Sequence, residues 1–139
     1  MLCLDNSVVA KFARPDPDTN VIGYLKDNAS EPWVIPATVM FEYLRYYSSQ
    51  SAVHQHQHAL TQRIQRVLPL TESVAIEAVL LENSLAKQDC SLALADLLHA
   101  ATARECGATF VTCDTANFDK PPLHQLMDID IIEATESSQ

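Results

Sequence analysis

An aspartate stands inside the most apolar helical stretch of this chain, and that placement limits what the chain can fold into. Residues 92–118 read LALADLLHAATARECGATFVTCDTANF. From residue 92 to residue 101 nearly every position is apolar, which predicts a helix buried around most of its circumference, with Asp96 in its middle. A buried carboxylate is costly unless a cation, a metal or several hydrogen-bond donors compensate its charge. Gly107 supplies the left-handed residue that ends such a helix. Residues 108–112 follow as a short strand, and Asp114 lies just past it. One acid in a core helix and another beyond the next strand point to a site.

The rest of the chain alternates short apolar runs with helical segments. Residues 1–4 fit a buried strand, followed at once by Asp5, Asn6 and Ser7. Residues 8–13 make one or two helical turns, stopped by Pro15 and Pro17. A helix over 19–28 carries Val21, Ile22 and Leu25 on one face. Residues 33–35 are a second buried strand, and Pro36 opens a helix to about residue 49, with Thr38 as its N-cap and Glu42 one turn in. A polar helix over 51–66 has only Val53, Leu60 and Ile64 as its apolar stripe. Residues 67–70 give a short strand kept at an edge by Pro69. Thr71 caps an amphipathic helix to about residue 87, with Val74, Ala78, Leu81 and Leu85 in register. Residues 120–122 read as a turn, and 128–132 alternate like a final strand. Strands separated by helices predict an α/β fold with a parallel sheet. Residues 1–133 form one domain, and residues 134–139 form a frayed tail.

Composition narrows the functional classes. The 139 residues suffice for a core without disulfides or structural metals. The four cysteines are scattered, with no CxxC pair, and no basic segment leads into a long apolar run at the start. No apolar stretch approaches membrane-spanning length. A reduced, cytoplasmic protein without membrane contact is expected. The net charge of −9 argues against attraction of nucleic acid by the global field. Two divalent cations held by clustered acids would change that sum only to −5, so a nucleic-acid substrate needs local Lys or Arg contacts.

Four acids merit weighing. Asp5 follows the first strand, at the carboxyl edge where open α/β sheets place their sites; its bland alternative is an N-cap. Glu42 lies above the same edge, and taken alone it is better accounted for by pairing with the helix dipole. Asp114 has a turn or capping role as its alternative. Asp96 has no structural reason to occupy an apolar helix. Together they would form an oxygen-rich cage, which suits Mg²⁺ or Mn²⁺ better than zinc. The run His54-Gln-His56-Gln-His58 puts His54 and His58 one helical turn apart, but no third ligand stands nearby, so a polar surface helix is the expectation. His99 and His124 show no ligand spacing.

The LDNSVV start, TVMFEYLR, ADLLHAATARECGA and FVTCDTANF resemble the four acidic motifs of PIN-domain nucleases, most closely the small VapC-type toxins of toxin–antitoxin pairs. The resemblance spans residues 1 to about 133 and is most specific from Asp96 to Phe118. It implies a three-layer α/β/α fold around a mainly parallel sheet of about five short strands. It also implies that Asp5, Glu42, Asp96 and Asp114 are the catalytic, metal-binding acids, with Ser7 and Thr112 as supporting hydroxyls. Many relatives carry a further acid where this chain has Asn117. Asp119, two residues on, is the candidate to replace it, and the site holds one or two ions accordingly.

What the resemblance implies is a Mg²⁺- or Mn²⁺-dependent ribonuclease that leaves a 5′-phosphate and a 3′-hydroxyl, on single-stranded or structured RNA. It further implies a homodimer, and a cognate small antitoxin that occupies the active-site groove. Basic side chains on that partner would complement an acidic toxin. Lys11, Arg14 and Arg45 are candidate phosphate contacts against a reading as solvated surface charge. Tyr43, Tyr46 and Tyr47 are candidate base-stacking residues against a core or interface role. Rival classes fit less well. A receiver domain wants a second acid beside Asp5 and a lysine after its last strand, and a haloacid-dehalogenase-type phosphatase wants an aspartate where Ser7 stands. The alternative that survives is a non-catalytic PIN-like domain that binds RNA or a protein.

Overall fold

A computed structural model describes residues 1–135 and turns the short apolar runs into one sheet. Strands β1 (Leu2–Leu4), β2 (Trp33–Pro36), β3 (Arg66–Leu68), β4 (Thr109–Thr112) and β5 (Ile129–Ile131) lie in the order β3-β2-β1-β4-β5. All neighbouring pairs are parallel. Cys3 of β1 sits opposite Val34 of β2 on one side and Phe110 of β4 on the other. Because side chains alternate along a strand, Leu2, Leu4, Ile35 and Val111 face one layer, while Cys3, Val34 and Phe110 face the other.

Among the described residues, eight helices cover the two faces: α1 (Asn6–Phe12), α2 (Thr19–Asp27), α3 (Ala37–Leu44), α4 (Gln50–Thr61), α5 (Glu72–Ala86), α6 (Leu94–Glu105), α7 (Thr115–Phe118) and α8 (Pro121–Leu126). Val8, Val9 and Phe12 of α1 join Val21, Leu25 and Leu60 on the Leu2–Leu4 side. Val74, Ala78, Leu81 and Leu85 of α5 meet Leu97, Ala100, Ala101 and Ala103 of α6 and Leu123 of α8 on the other. Burying each leucine contributes about 1.5–3 kcal/mol, and the two faces give the three-layer α/β/α arrangement.

Helix ends explain several departures from the expected boundaries. Pro36, with extended backbone, is the N-cap of α3 in place of Thr38, and the Thr38 hydroxyl is spent on another helix. Helix α3 stops at Leu44, and Ser49 caps α4 by accepting from the Ala52 N–H at 3.1 Å. The polar helix ends at Thr61 because the chain must extend into β3. Residues 121–126 are helical where a turn was expected, since prolines in a first turn lack only N–H groups that have no intrahelical partner. Thr71 caps α5 as anticipated, accepting from the Val74 N–H at 3.2 Å.

Helix α6 ends in a paired-bond stop: the Ala108 N–H reaches the Ala103 carbonyl at 3.0 Å, the Gly107 N–H reaches Arg104 at 3.2 Å, and Gly107 has φ +71°. Its start differs from expectation. Leu94 is 72% exposed and Asp96 lies in the first turn, so Asp96 stands at the open start of the helix, while residues 99–103 are buried all round as expected.

The chain goes from β1 outward through β2 and β3, then returns to add β4 and β5 on the opposite side of β1. The carboxyl ends of β1 and β4 therefore flank the point where strand order reverses, the usual ligand position in open parallel sheets. Thr135 is tied to Asp18 by its N–H at 2.9 Å and its hydroxyl at 2.5 Å. Residues 136–139, most of the tail expected to fray, lie outside the described residues. Among the described residues, no helix is long and apolar enough to cross a membrane.

Candidate active site

Asp5 emerges from the end of β1 with its backbone N–H bonded to the Val111 carbonyl of β4 at 2.9 Å. It is the N-cap of α1, yet its carboxylate makes no capping bond there. Its Oδ2 accepts instead from the Thr112 hydroxyl at 2.7 Å and the Ser7 hydroxyl at 2.9 Å. Each hydroxyl has one proton to give, so with both donated to Asp5 the 3.2 Å Ser7–Thr112 contact is proximity alone. Both hydroxyl oxygens still accept: Ser7 from the Cys113 N–H at 2.9 Å, Thr112 from the Asp114 N–H at 3.0 Å. Burial pushes the Asp5 carboxyl above the ordinary carboxylate range, opposed by the Thr112 bond, the nearby His99 and the Ser7 bond.

Glu42 comes from the middle of α3 and is half-buried. Its Oε1 lies 2.7 Å from Nε2 of His99, a fully buried residue of α6. The other ring nitrogen, Nδ1, lies 2.7 Å from the Thr38 hydroxyl. Asp5, Glu42 and His99 each offer a ligand atom within 4.8 Å of the others. His99 is the residue the sequence did not single out. The available signals were a histidine in an alanine-rich buried run, three residues after Asp96, and Thr38 and Glu42 spaced i and i+4 on one helix face.

Asp96 stands outside that triplet but within its field. Its carboxyl is pushed up to about 6, first by burial and then by Asp5, with Asp114 and Glu42 adding and His99 opposing. Asp5, Asp114 and Glu42 therefore all lie near enough for their charge to act on Asp96. Asp114 caps α7 by accepting from the Asn117 N–H at 3.1 Å, and its Oδ2 accepts from the Asn117 side-chain amide at 2.7 Å. Asn117 thus steadies Asp114 by donation. Asp119 is engaged elsewhere, 2.9 Å from Nε2 of His124.

Two grooves meet at Glu42. One, of about 340 Å³, is apolar and runs past Phe41, Leu70, Leu94 and Leu98 with Arg45 at its rim. The other, of about 380 Å³, is lined by Asn6, Arg14, Tyr43, Tyr46 and Tyr47. Arg45 lies over the Phe41 and Tyr46 rings at 5.2 and 5.7 Å from their centroids. Arg14 donates from Nε to the Asp16 carbonyl at 2.7 Å. The positive charge of Lys11 acts on Cys113. His54 and His58 are exposed, and His56 stacks on Tyr47 with centroids 3.8 Å apart.

A model of the PIN domain matches residues 2–122. The chain belongs to the PIN domain family. Comparison with curated protein sequences gives no match. Among solved structures, FitAcB from Neisseria gonorrhoeae superposes with a TM-score of 0.72 at 23% identity, over 93% of this chain and 96% of that one. DNA-bound VapBC from Salmonella typhimurium gives 0.72 at 18% identity, over 94% and 96%. VapC20 from Mycobacterium tuberculosis, a sarcin-ricin loop cleaving toxin, gives 0.57 at 16% identity, over 84% and 92%. At these identities the likeness is one of fold. In this PIN domain, carboxylate oxygens meet at the strand-order reversal, with one imidazole beside them. That is a donor set for a hard divalent cation such as Mg²⁺ or Mn²⁺.

Proposed function

We propose that the protein is a Mg²⁺- or Mn²⁺-dependent ribonuclease and the toxin of a VapBC-type pair. The observation that carries this reading is the meeting of Asp5 and Glu42, whose oxygens lie within 4.8 Å of one another, with Asp96 in the field of both and of Asp114; a shared cation relieves the repulsion. Carboxylates brought together at the end of a sheet are costly to the fold alone, as expected where a site is maintained for chemistry. The toxin assignment is supported by similarity to subunits of the FitAcB and VapBC complexes.

Mg²⁺ or Mn²⁺, when bound, supplies charge neutralisation at a scissile phosphate and lowers the pKa of a bound water. Asp5, Glu42, Asp96 and Asp114 would hold it. Asp5 is fixed by the two hydroxyls and Glu42 by His99, so two acids are oriented before any ligand arrives, which reduces the reorganisation left for the reaction. Asp114 is held by Asn117 at the mouth. Arg14 and Arg45 each line one of the two grooves that meet at Glu42, and they are the proposed contacts for flanking phosphates of RNA. The proposed setting is the cytoplasm, as a homodimer, with a small antitoxin protein covering the grooves.

The test is cleavage of a single-stranded RNA by purified protein with Mg²⁺ or Mn²⁺, with product ends mapped. The expected result is a 5′-phosphate and a 3′-hydroxyl, loss of cleavage in EDTA, and loss in Asp5→Asn and Asp96→Asn with the fold retained by circular dichroism. Metal-independent cleavage, or undiminished activity in both variants, would sink the assignment. Tight RNA binding without cleavage would favour the non-catalytic PIN-like alternative.

A further inference from the structure

His99 is left without a task by the four-acid cage, although it is fully buried against it. Proximity of its Nε2 to Asp5 and Glu42 invites treatment as a third ligand. A count of protons decides otherwise. Glu42 as a carboxylate can only accept, so the 2.7 Å contact requires a hydrogen on Nε2. On the other side, Nδ1 either accepts from the Thr38 hydroxyl or donates to it, and neither choice frees Nε2. A ring nitrogen carrying hydrogen has no lone pair for a metal. The 2.7 Å bond and direct ligation by Nε2 are therefore exclusive.

We propose that His99 is a positioning residue: with its ring fixed by Thr38, it donates from Nε2 to Oε1 of Glu42 and leaves Oε2 to the cation. This rests on the nuclease reading and adds a residue to it. The geometry explains the spacing on α3. Thr38 and Glu42 are one turn apart on the same face, so a single imidazole from α6 spans both. Glu42 needs such a hold, because it stands between two open grooves and would otherwise lose rotamer freedom on binding. Hydrogen-bonded support of ligating carboxylates is a general feature of metal sites, and its loss weakens affinity by about 10- to 100-fold.

The experiment measures Mn²⁺ binding by calorimetry without RNA, and the His99 tautomer by nitrogen NMR of the metal-free, ¹⁵N-labelled protein. The expected results are a protonated Nε2 in the wild type, about 10- to 100-fold weaker Mn²⁺ binding in His99→Leu, and restoration to within a few-fold in His99→Gln, whose amide can donate from a similar position. Pulsed EPR of the Mn²⁺ form should show no directly bonded histidine nitrogen. A bonded nitrogen, an unprotonated Nε2, or wild-type Mn²⁺ affinity in His99→Leu overturns the positioning role alone. Failure of the wild type to bind Mn²⁺ at all overturns the nuclease reading, and the purpose of the tether with it.

Discussion

Thr112 gives its hydroxyl proton to Asp5 across the boundary between β4 and β1, at 2.7 Å, while accepting from the Asp114 N–H at 3.0 Å. One side chain thereby sets the first acid and the loop of the last. Thr112→Val keeps the shape and removes both bonds. A hydrogen bond to a charged acceptor contributes about 1.5–3 kcal/mol, so a loss of that order is expected near neutral pH. The sign with pH follows from Asp5, whose carboxyl is already raised and which loses a donor that held it down. The group then costs more when ionised, so the loss should be larger at about pH 7.5 than at about pH 5. Urea denaturation in EDTA at both pH values checks this, with Thr112→Ser close to the wild type. An equal loss at both would mean the bond serves packing and not the charge.

Asp96 predicts the stability of the metal-free protein. Its carboxyl titrates at about 6 in the fold, against about 3.9 when unfolded. A raised carboxyl contributes stability that is fully present below the unfolded value and is lost as pH rises through the folded one. In EDTA, Asp96→Asn should therefore melt higher than the wild type at about pH 7.5, and the difference should shrink towards pH 4. Because the group is half exposed, solvent screening reduces the effect. Added Mn²⁺ should raise the wild-type melting temperature and leave Asp96→Asn largely unmoved. A variant less stable than the wild type at both pH values would show that Asp96 is structural.

The sheet and most helices were legible because their signals are local. Short apolar runs, Thr71 before an amphipathic helix and Gly107 after an alanine-rich one all act within a few residues. The acids proposed for the site stand out in the sequence by their positions near strand ends and helix starts and by the family pattern they resemble. His99 was not, because its task depends on Thr38 and Glu42, which lie 61 and 57 residues away. The same distance hid the fate of Thr38: a hydroxyl at a helix start resembles a cap until a buried imidazole competes for it. Asp96 stands at the start of α6 and not in its middle, because apolar spacing does not show which face of a helix start is left uncovered, as Leu94 is.

Asn117→Asp should trade stability for metal affinity. The Asn117 amide donates to Asp114 at 2.7 Å. An aspartate there removes the donor and sets a second negative charge against Asp114, so the metal-free variant should lose roughly 1 kcal/mol or more. With a cation, the same carboxylate becomes an additional oxygen donor. Calorimetric titration with Mn²⁺ should show tighter binding than in the wild type, and thermal melts in EDTA a lower midpoint. Weaker Mn²⁺ binding would show that residue 117 faces away from the cation and that donation to Asp114 is its whole contribution.

Asp18 closes the chain on itself and should make that closure acid-sensitive. Its Oδ1 caps α2 through the Asn20 and Val21 N–H groups at 3.0 and 3.2 Å, while Oδ2 takes both donors of Thr135. Burial alone would raise this carboxyl; the bonds from Thr135, Val21 and Asn20 outweigh it and hold the group below its ordinary value. A depressed carboxyl contributes stability that is present above the unfolded value and lost as pH falls through the folded one. Loss of a helix cap costs about 0.5–2 kcal/mol, and the Thr135 bonds place Asp18→Ala at the upper end of that range near neutral pH. The gap between wild type and variant should narrow once the pH drops below about 3.9, where the unfolded carboxylate takes up its proton. Hydrogen exchange should show faster exchange of the Asn20, Val21 and Thr135 amides in the variant. Slow exchange at Thr135 in Asp18→Ala would mean that another contact holds the end of the chain.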